Sequence, residues 1–435
     1  MLLKEKILSK KAKVCIIGLG YVGLPEAVAA ANAGFRVFGF DLDKTKVNNV
    51  NRGKLYISDI EEQDFKRVIR SGALSATTDP RILSEADVIC VAVPTPFNVY
   101  KEPDLSYVLK ATEFIAKNSR KGQLVILEST TYPGTTREVM LPVLKKKEMK
   151  PGRDFFLAFS PERIDPGNSD FHTTNTPKVA GGITPRCTEM VKLFYSQFII
   201  KVIPVSSPEV AELTKLLENI FRNVNIALVN ELMLLCDRMK INIWEVVEAA
   251  KTKPFGFMSF MPGPGVGGHC IPVDPVYLSW KAKEFDFHTR FIELAAEVNS
   301  NMPYYVVSKV NALLRKKSPE DSTVLVLGVA FKKGISDMRN SPSLKIMDLM
   351  QKEGFDVLYN DPYVPSTSLR EHGGGKIYRS SKLTSKLLRS ADCVVVVTDH
   401  PDYDYEWIAR HAKCILDTRN ALKGVKGCRD KIVRL

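Results

Sequence analysis

The feature that most constrains this chain is an echo. Val14-Cys-Ile-Ile-Gly18, a β-branched apolar run closed by glycine, returns near the other end of the chain as Val324-Leu-Val-Leu-Gly328. After each run come a helical stretch and a second strand, Gly34-Phe-Arg-Val-Phe-Gly-Phe-Asp41 in the first copy and Gly354-Phe-Asp-Val-Leu-Tyr-Asn-Asp361 in the second. Ala86-Asp-Val-Ile-Cys-Val-Ala-Val93 then pairs with Ala391-Asp-Cys-Val-Val-Val-Val-Thr398, and Leu124-Val-Ile-Leu127 with Cys414-Ile-Leu-Asp417. Short, almost wholly apolar strands that alternate with helices bury both faces, which is the signature of parallel sheets. The expected fold is α/β: two Rossmann-like, doubly wound parallel-sheet domains joined by a helical central domain with a long helix.

That helix is expected from Pro208 to Lys240, where Val210, Leu213, Leu217, Ile220, Val224 and Leu228 recur at threes and fours on one face. Ser207 can cap it and Pro208 suits its first turn. At about 1.5 Å per residue it would run roughly 50 Å, more than one small domain needs, so it is expected to bridge domains and to pack on a second copy as a homodimer. Such a stripe also serves as ordinary monomer core. Asn242-Ile-Trp-Glu245 opens a further helix as a capping-box pattern. The expected domains are 1–205, 206–312 and 313–435.

Composition narrows the function. The chain has 435 residues, 45% hydrophobic and 26% charged, enough for two or three domains with real cores. No apolar run approaches the roughly 18 residues of a membrane span, and 1–13 lacks a leader-like hydrophobic stretch, so a cytoplasmic protein without a membrane role is expected. The net charge of +13 fits a nucleic-acid surface, an anionic small molecule or a merely solvated lysine-rich face. No zinc-finger spacing, RNA-binding aromatic strand or basic tail favours nucleic acid. The eight cysteines are dispersed without a CxxC pair, against both a metal site and a disulfide framework. Cys15, Cys90, Cys236, Cys393 and Cys414 are expected to be small core residues.

Gly18-Leu-Gly20-Tyr-Val-Gly23 follows a strand and opens a helix, and Asp41 closes the next strand about 20 residues on, the context in which this glycine pattern binds a dinucleotide. The pyrophosphate meets the helix N-terminus. Tyr21 and Val22 lie within the loop. A carboxylate at Asp41 favours a free ribose diol, hence NAD over NADP, although Lys44 and Lys46 stand nearby. Glu26 is awkward here, since it puts a like charge within about one turn of the phosphates unless it points away. In the second copy, Gly328-Val-Ala-Phe-Lys-Lys333 trades glycines for lysines, which suits a different phosphate-bearing ligand, with Arg339 close by, or a solvated surface.

Pro262-Gly-Pro-Gly-Val-Gly-Gly-His-Cys270-Ile-Pro-Val-Asp274 presents one cysteine on a glycine- and proline-dense loop, either a nucleophile or an inert loop thiol. Lys215 and Asn219, four apart on a helix, offer a cation and an amide where an oxyanion or a water could be held.

With these motifs the chain resembles, over essentially its whole length, the nucleotide-sugar 6-dehydrogenases of the UDP-glucose and GDP-mannose dehydrogenase type. The resemblance rests on Gly18 to Gly23, Val93-Pro-Thr-Pro96, Glu128-Ser-Thr-Thr-Tyr-Pro-Gly134, Ser160-Pro-Glu-Arg163, Glu212-Leu-Thr-Lys-Leu-Leu-Glu-Asn219, Gly267-Gly-His-Cys270 and Phe331-Lys-Lys333. Ser160-Pro-Glu-Arg-Ile-Asp-Pro-Gly-Asn168 and Lys253-Pro-Phe-Gly-Phe257 look most like the branch that oxidises UDP-N-acetylglucosamine. The N-acetylmannosamine, N-acetylgalactosamine and glucose forms remain alternatives.

The resemblance implies two oxidations at the sugar C6, each with one NAD. A water held by Lys215 and Asp274 takes the hydroxyl proton, and Cys270 captures the aldehyde. The thioester formed by the second oxidation is hydrolysed with Glu162 assisting, Lys215 and Asn219 on the oxyanion and Thr130 orienting the water. It further implies Phe331, Lys332, Arg339 and Arg419 as a uridine and diphosphate clamp, with Glu162, Arg163, Lys215, Asn219, Phe255 and Gly267 also on the substrate. Thr95 and Thr130 border the nicotinamide, and Lys46 the adenosine. His269 reads as a loop-packing residue rather than a base. Two further readings compete, a hydroxyacid dehydrogenase with a single hydride transfer and a non-catalytic nucleotide-binding regulator.

Overall fold

The computed structural model describes residues 2–57, 60–98, 100, 102–145, 149–165, 170–369 and 377–435. Positions 166–168 of the branch motif therefore lie outside the described residues. The chain divides into two compact units, residues 1–218 with 276–287, and residues 219–275 with 288–435.

The first unit is built on eight strands, β1 (Lys13–Ile17), β2 (Arg36–Phe40), β3 (Leu74–Thr77), β4 (Val88–Val91), β5 (Leu124–Leu127), β6 (Phe156–Phe159), β7 (Lys178–Gly182) and β8 (Val202–Val205). They lie in the order β3-β2-β1-β4-β5-β6-β7-β8. The first six run parallel, whereas β7 pairs antiparallel with β6 through Ala158–Gly182 and Phe159–Gly181. Val14, Cys15, Ile16, Val88 and Ile126 are fully buried. Burying each such aliphatic side chain contributes about 1.5–3 kcal/mol, and this is what holds the layers together.

The second unit repeats the plan with β9 (Thr323–Leu327) and β10 (Asp356–Asn360). A short antiparallel ribbon follows, β11 (Ser366–Ser368) with β12 (Ile377–Arg379), and then β13 (Cys393–Val396), β14 (Ile415–Asp417) and β15 (Ile432–Arg434). Its parallel sheet runs β10-β9-β13-β14-β15. The order β10-β9-β13-β14 matches β2-β1-β4-β5, so the sequence echo is an echo of topology.

The two second strands also end alike. Asp41 follows β2 and accepts from the Leu19 N–H at 2.8 Å, in the loop after β1. Asp361 follows β10 and accepts from the Val329 and Ala330 N–H groups at 2.7 and 3.0 Å, in the loop after β9. Asp361 is buried and also receives Tyr363 and Val364 N–H on its other oxygen.

The long helix spans Pro208–Met239. Ser207 Oγ accepts from Val210 N–H at 3.4 Å at its start, and Lys240 at φ 61° stops it in the left-handed region. Asn242 caps the next helix, Ile243–Lys251, by accepting from Trp244 N–H. The apolar stripe is divided: Ile220 is buried, while Val210, Leu213, Leu217 and Leu228 are exposed. Cys15, Cys90 and Cys393 are buried as expected, but Cys236 and Cys414 are only half-buried. Cys236 lies in the last turns of the long helix and Cys414 just before the short β14, where cover from neighbouring elements is thinner.

Asp361→Ala leaves four backbone N–H groups without an acceptor and should lower stability by about 2–4 kcal/mol. Asp41→Ala should cost about 1 kcal/mol. Urea unfolding of the two variants checks the difference.

Candidate active site

The glycine loop after β1 has two glycines fixed by packing and one left open. A Cβ on Gly18, at φ 94°, would sit 2.3 Å from the Ala92 carbonyl oxygen, and one on Gly23 would sit 1.9 Å from that of Gly18. Gly20 has nothing within 4 Å of a Cβ position. The helix Gly23–Asn32 begins there, with Tyr21 exposed and Val22 half-buried just before it. An open backbone at Gly20 beside a helix N-terminus fits a pyrophosphate, so the residues present suit the dinucleotide. Asp41 keeps its loop contact to Leu19 and lies 3.4 Å from Lys46 Nζ. Tyr56, which sequence reading missed, donates to the Leu19 carbonyl at 2.8 Å and closes the loop from its other side.

Glu26 points away from the phosphate end. It is fully buried, with Lys178 Nζ 3.3 Å from its Oε2. The same ammonium lies 2.9 Å from Glu128 Oε1 and 3.5 Å from Glu162 Oε2. Tyr195 donates to both Glu128 and Glu26. Burial pushes the Glu128 carboxyl well above its usual range, and the neighbouring Glu26 adds to this. Burial alone would depress Lys178, but the three carboxylates outweigh it and hold the ammonium well above its ordinary value. Glu26, Cys90 and Glu128 bring three donor atoms within 4.8 Å, a spacing a metal could use, yet Lys178 already supplies the positive charge there.

The loops after β4 and β5 are tied together. Ser129 Oγ accepts from Val93 N–H and donates to the Val93 carbonyl. Thr95 Oγ1 donates to the Thr130 carbonyl at 2.8 Å, and Tyr277 donates to the Thr95 and Pro96 carbonyls. Thr95 is buried and Thr130 half-buried. Glu212, another residue sequence reading left without a role, accepts from Gly134 N–H, Thr136 N–H and Thr136 Oγ1 at 2.6, 2.9 and 2.7 Å. Burial pushes its carboxyl up to about 7 despite these donors. Lys215, one turn further along the helix, is buried. Glu162 Oε1 accepts from the Arg163 and Ile164 N–H groups, and Arg163 spends its guanidinium on Glu218 and the Pro177 carbonyl.

The second unit holds the thiol. Cys270 is exposed, and its carbonyl accepts from Val273 and Asp274 N–H, which starts the helix Asp274–Ala282. Asn219 donates through Nδ2 to Asp274 Oδ2, both side chains being buried. The thiol loop is seated on the loop after β9. Gly268 N–H donates to the Arg339 carbonyl at 2.8 Å, and Asn340 Nδ2 donates to the Gly268 carbonyl at 3.0 Å. A Cβ on Gly267 would lie 2.6 Å from that of Phe331.

Arg419 passes beside Gly263 and donates to the Val397 carbonyl at 2.9 Å, while burial lowers its pKa. Phe331 and Lys332 are half-buried, and the exposed Arg339 pairs with Asp337. Phe255 is exposed under Lys253. Burial lowers the His269 pKa, consistent with a packed imidazole.

Sequence reading also missed His400. Its Nδ1 accepts from Gly334 N–H at 3.1 Å and its Nε2 lies 3.0 Å from Asp361 Oδ2, so the pair braces the Phe331–Lys333 loop from below. The predicted residues are divided between the two units: Gly18–Gly23, Asp41, Lys46, Thr95, Thr130, Glu162, Arg163 and Lys215 belong to the first, and Asn219, Phe255, Gly267, Cys270, Asp274, Phe331, Lys332, Arg339 and Arg419 to the second.

Three family models match the chain: the NAD-binding domain of the UDP-glucose/GDP-mannose dehydrogenase family over residues 12–199, its central domain over 209–301 and its UDP-binding domain over 325–424. A Pseudomonas aeruginosa UDP-N-acetyl-D-glucosamine 6-dehydrogenase is 39% identical over 369 residues, covering 84% of this chain and 86% of that protein. A Pyrococcus horikoshii UDP-N-acetyl-D-mannosamine dehydrogenase is 34% identical over 420 residues, covering 94% and 96%. A solved structure of a UDP-D-ManNAc dehydrogenase from that organism superposes with a TM-score of 0.87 at 32% identity, covering 97% of this chain and 98% of that one.

Gly20→Ala should leave stability within about 1 kcal/mol and weaken NAD binding, whereas Gly23→Ala should unfold the first unit at a clearly lower temperature. Calorimetry paired with NAD titration separates the two. Because the folded Glu212 carboxyl is raised above its unfolded value, it contributes stability at low pH that is lost as pH rises from about 4.5 through about 7. Melting temperatures across that window should carry this fall in the parent chain and lose it in Glu212→Gln.

Proposed function

Since this chain belongs to the UDP-glucose/GDP-mannose dehydrogenase family, with its NAD-binding and UDP-binding domains, we propose that it oxidises the C6 hydroxyl of a UDP-sugar to a carboxylate through a covalent adduct on Cys270. The observation that carries this reading is the exposed Cys270 thiol, on a loop whose glycines seat it against Phe331 and Arg339 of the expected nucleotide clamp. One rigid unit thereby holds both the sugar nucleotide's handle and the nucleophile.

The glycine loop and Asp41 would hold NAD, which when bound would supply the two-electron acceptor for the oxidations. A water held by Lys215 and Asp274 takes the C6 hydroxyl proton in the first. Asn219 keeps the Asp274 carboxylate in place for this. The Cys270 thiolate then adds to the aldehyde carbon as a thiohemiacetal, which cannot diffuse away between oxidations. Loss of the second hydride leaves a thioester. Water, oriented by Thr130, adds to its carbonyl carbon as Glu162 takes the water proton. Lys215 and Asn219 steady the oxyanion, the C–S bond breaks and the thiol is restored.

Phe331, Lys332, Arg339 and Arg419 hold the uridine and diphosphate, and Arg163, Phe255 and Gly267 border the sugar. The 39% identical relative named for UDP-N-acetylglucosamine supports that substrate, and the relative named for UDP-N-acetylmannosamine supports a second reading with the same chemistry. We assign the NAD-binding, central and UDP-sugar-binding domains to 1–205, 206–312 and 313–435. The exposed Val210, Leu213, Leu217 and Leu228 provide the face of a homodimer. We place the enzyme in the cytoplasm; no helix among the described residues is long and apolar enough to cross a membrane.

Cys270→Ser should bind NAD as the parent does and form no carboxylate from UDP-N-acetylglucosamine. Carboxylate formation at the parent rate, followed by chromatography of the nucleotide sugar, would contradict the covalent route.

A further inference from the structure

One charged cluster in the first unit does more than its place in a core requires. Lys178, at the start of β7, is 4% exposed. Three carboxylates from separate parts of the chain converge on its ammonium: Glu26 from the helix Gly23–Asn32, Glu128 after β5 and Glu162 after β6. The ammonium also lies 4.6 Å from the centre of the Tyr195 ring. A buried ammonium and two buried carboxylates cannot all be charged at low cost, because the unpaired charge has no solvent. Glu128 resolves the imbalance. Among the described residues its Oε2 is buried without a hydrogen-bond partner, its carboxyl shares a hydrogen bond with Glu26, and burial pushes it well above its usual range, toward the neutral form.

What remains is Glu162, whose Oε1 is held by two backbone N–H groups while its Oε2 faces Lys178. Its side chain is 14% exposed, the most open of the three. We infer that Lys178 is a positioning residue for the hydrolysis step: it fixes the Glu162 carboxylate, with Glu26 and Glu128 anchoring the ammonium behind it.

This rests on the reading of Glu162 as the group that takes the water proton in thioester hydrolysis. In that step the water oxygen bonds to the thioester carbon, the C–S bond breaks to return the Cys270 sulfur, and the water proton passes to Glu162. The groups facing the ammonium are Glu26, Glu128, Glu162 and Tyr195, with Cys90 of β4 in contact with Tyr195.

The test uses the full chain with NAD and UDP-N-acetylglucosamine in single turnover, following NADH and the acyl adduct on the Cys270 peptide by mass spectrometry. Lys178→Met should leave NADH formation within about twofold, slow hydrolysis by about tenfold or more through the misplaced carboxylate, and so accumulate thioester. Lys178→Arg should restore the hydrolysis rate. Should Lys178→Met fold poorly, Lys178→Met with Glu26→Gln removes the ammonium together with one of its carboxyl partners and should show the same accumulation. Equal slowing of NADH formation and hydrolysis, or no accumulation of thioester in the double variant, would overturn the inference. Glu162→Gln is the control for the underlying reading: if it accumulates no adduct, the assignment of Glu162 itself fails, whatever Lys178 does.

Discussion

In each half of the molecule a carboxylate at the end of the second strand reaches across to the loop that follows the first. Asp41 takes the Leu19 N–H, and Asp361 takes those of Val329 and Ala330. A loop that must present backbone to a phosphate cannot also satisfy itself by secondary structure, so its shape has to be imposed by a neighbour. The strand-end carboxylate does this in both units. The difference between them lies in what is left over: Asp41 stays partly accessible, beside an open Gly20, while Asp361 is buried and spends its remaining capacity on His400 and the next turn. One device thus yields a site where the carboxylate can meet a ribose and another where it only braces a loop carrying a lysine pair.

Much of this was legible in the chain because buried parallel strands write themselves as apolar runs. The strand cores of β1, β2, β4 and β5, and of β9, β10, β13 and β14, fall inside the echoed apolar runs. The strands from β6 to β8 were not singled out. Phe156–Phe159 and Val202–Val205 are four residues each, and Lys178–Gly182 carries a lysine and two glycines, so none shows a clear pattern. The antiparallel step between β6 and β7 has no local signature at all. Glu26 was a puzzle in sequence because its partners come from Lys178, Glu128 and Tyr195, brought in by three other elements. His400 was invisible for the same reason, since nothing near it in sequence marks it as the base of the Phe331 loop.

The thiol loop shows how packing can serve chemistry. Gly267 and Gly268 tolerate no side chain on the Phe331 face, and the backbone bonds to Arg339 and Asn340 fix the loop's height against that face. On the proposed reading, a nucleophile that must meet one carbon of a bound sugar gains from sharing a unit with the groups proposed to hold the nucleotide, since the positional entropy is lost once, on binding. In the other unit, Ser129 ties the loop after β4 to the loop after β5, and Glu212 holds Gly134 and Thr136 of the latter against the long helix. In both units a few buried acceptors fix the shape of the loops around them.

Counting NADH against UDP-N-acetylglucosamine consumed, at limiting sugar and saturating NAD, measures most directly whether one thiol carries the half-oxidised sugar through two electron-pair removals. Two NADH per sugar, with no aldehyde released, is the expected result. One NADH per sugar, with an aldehyde as the product, would contradict it.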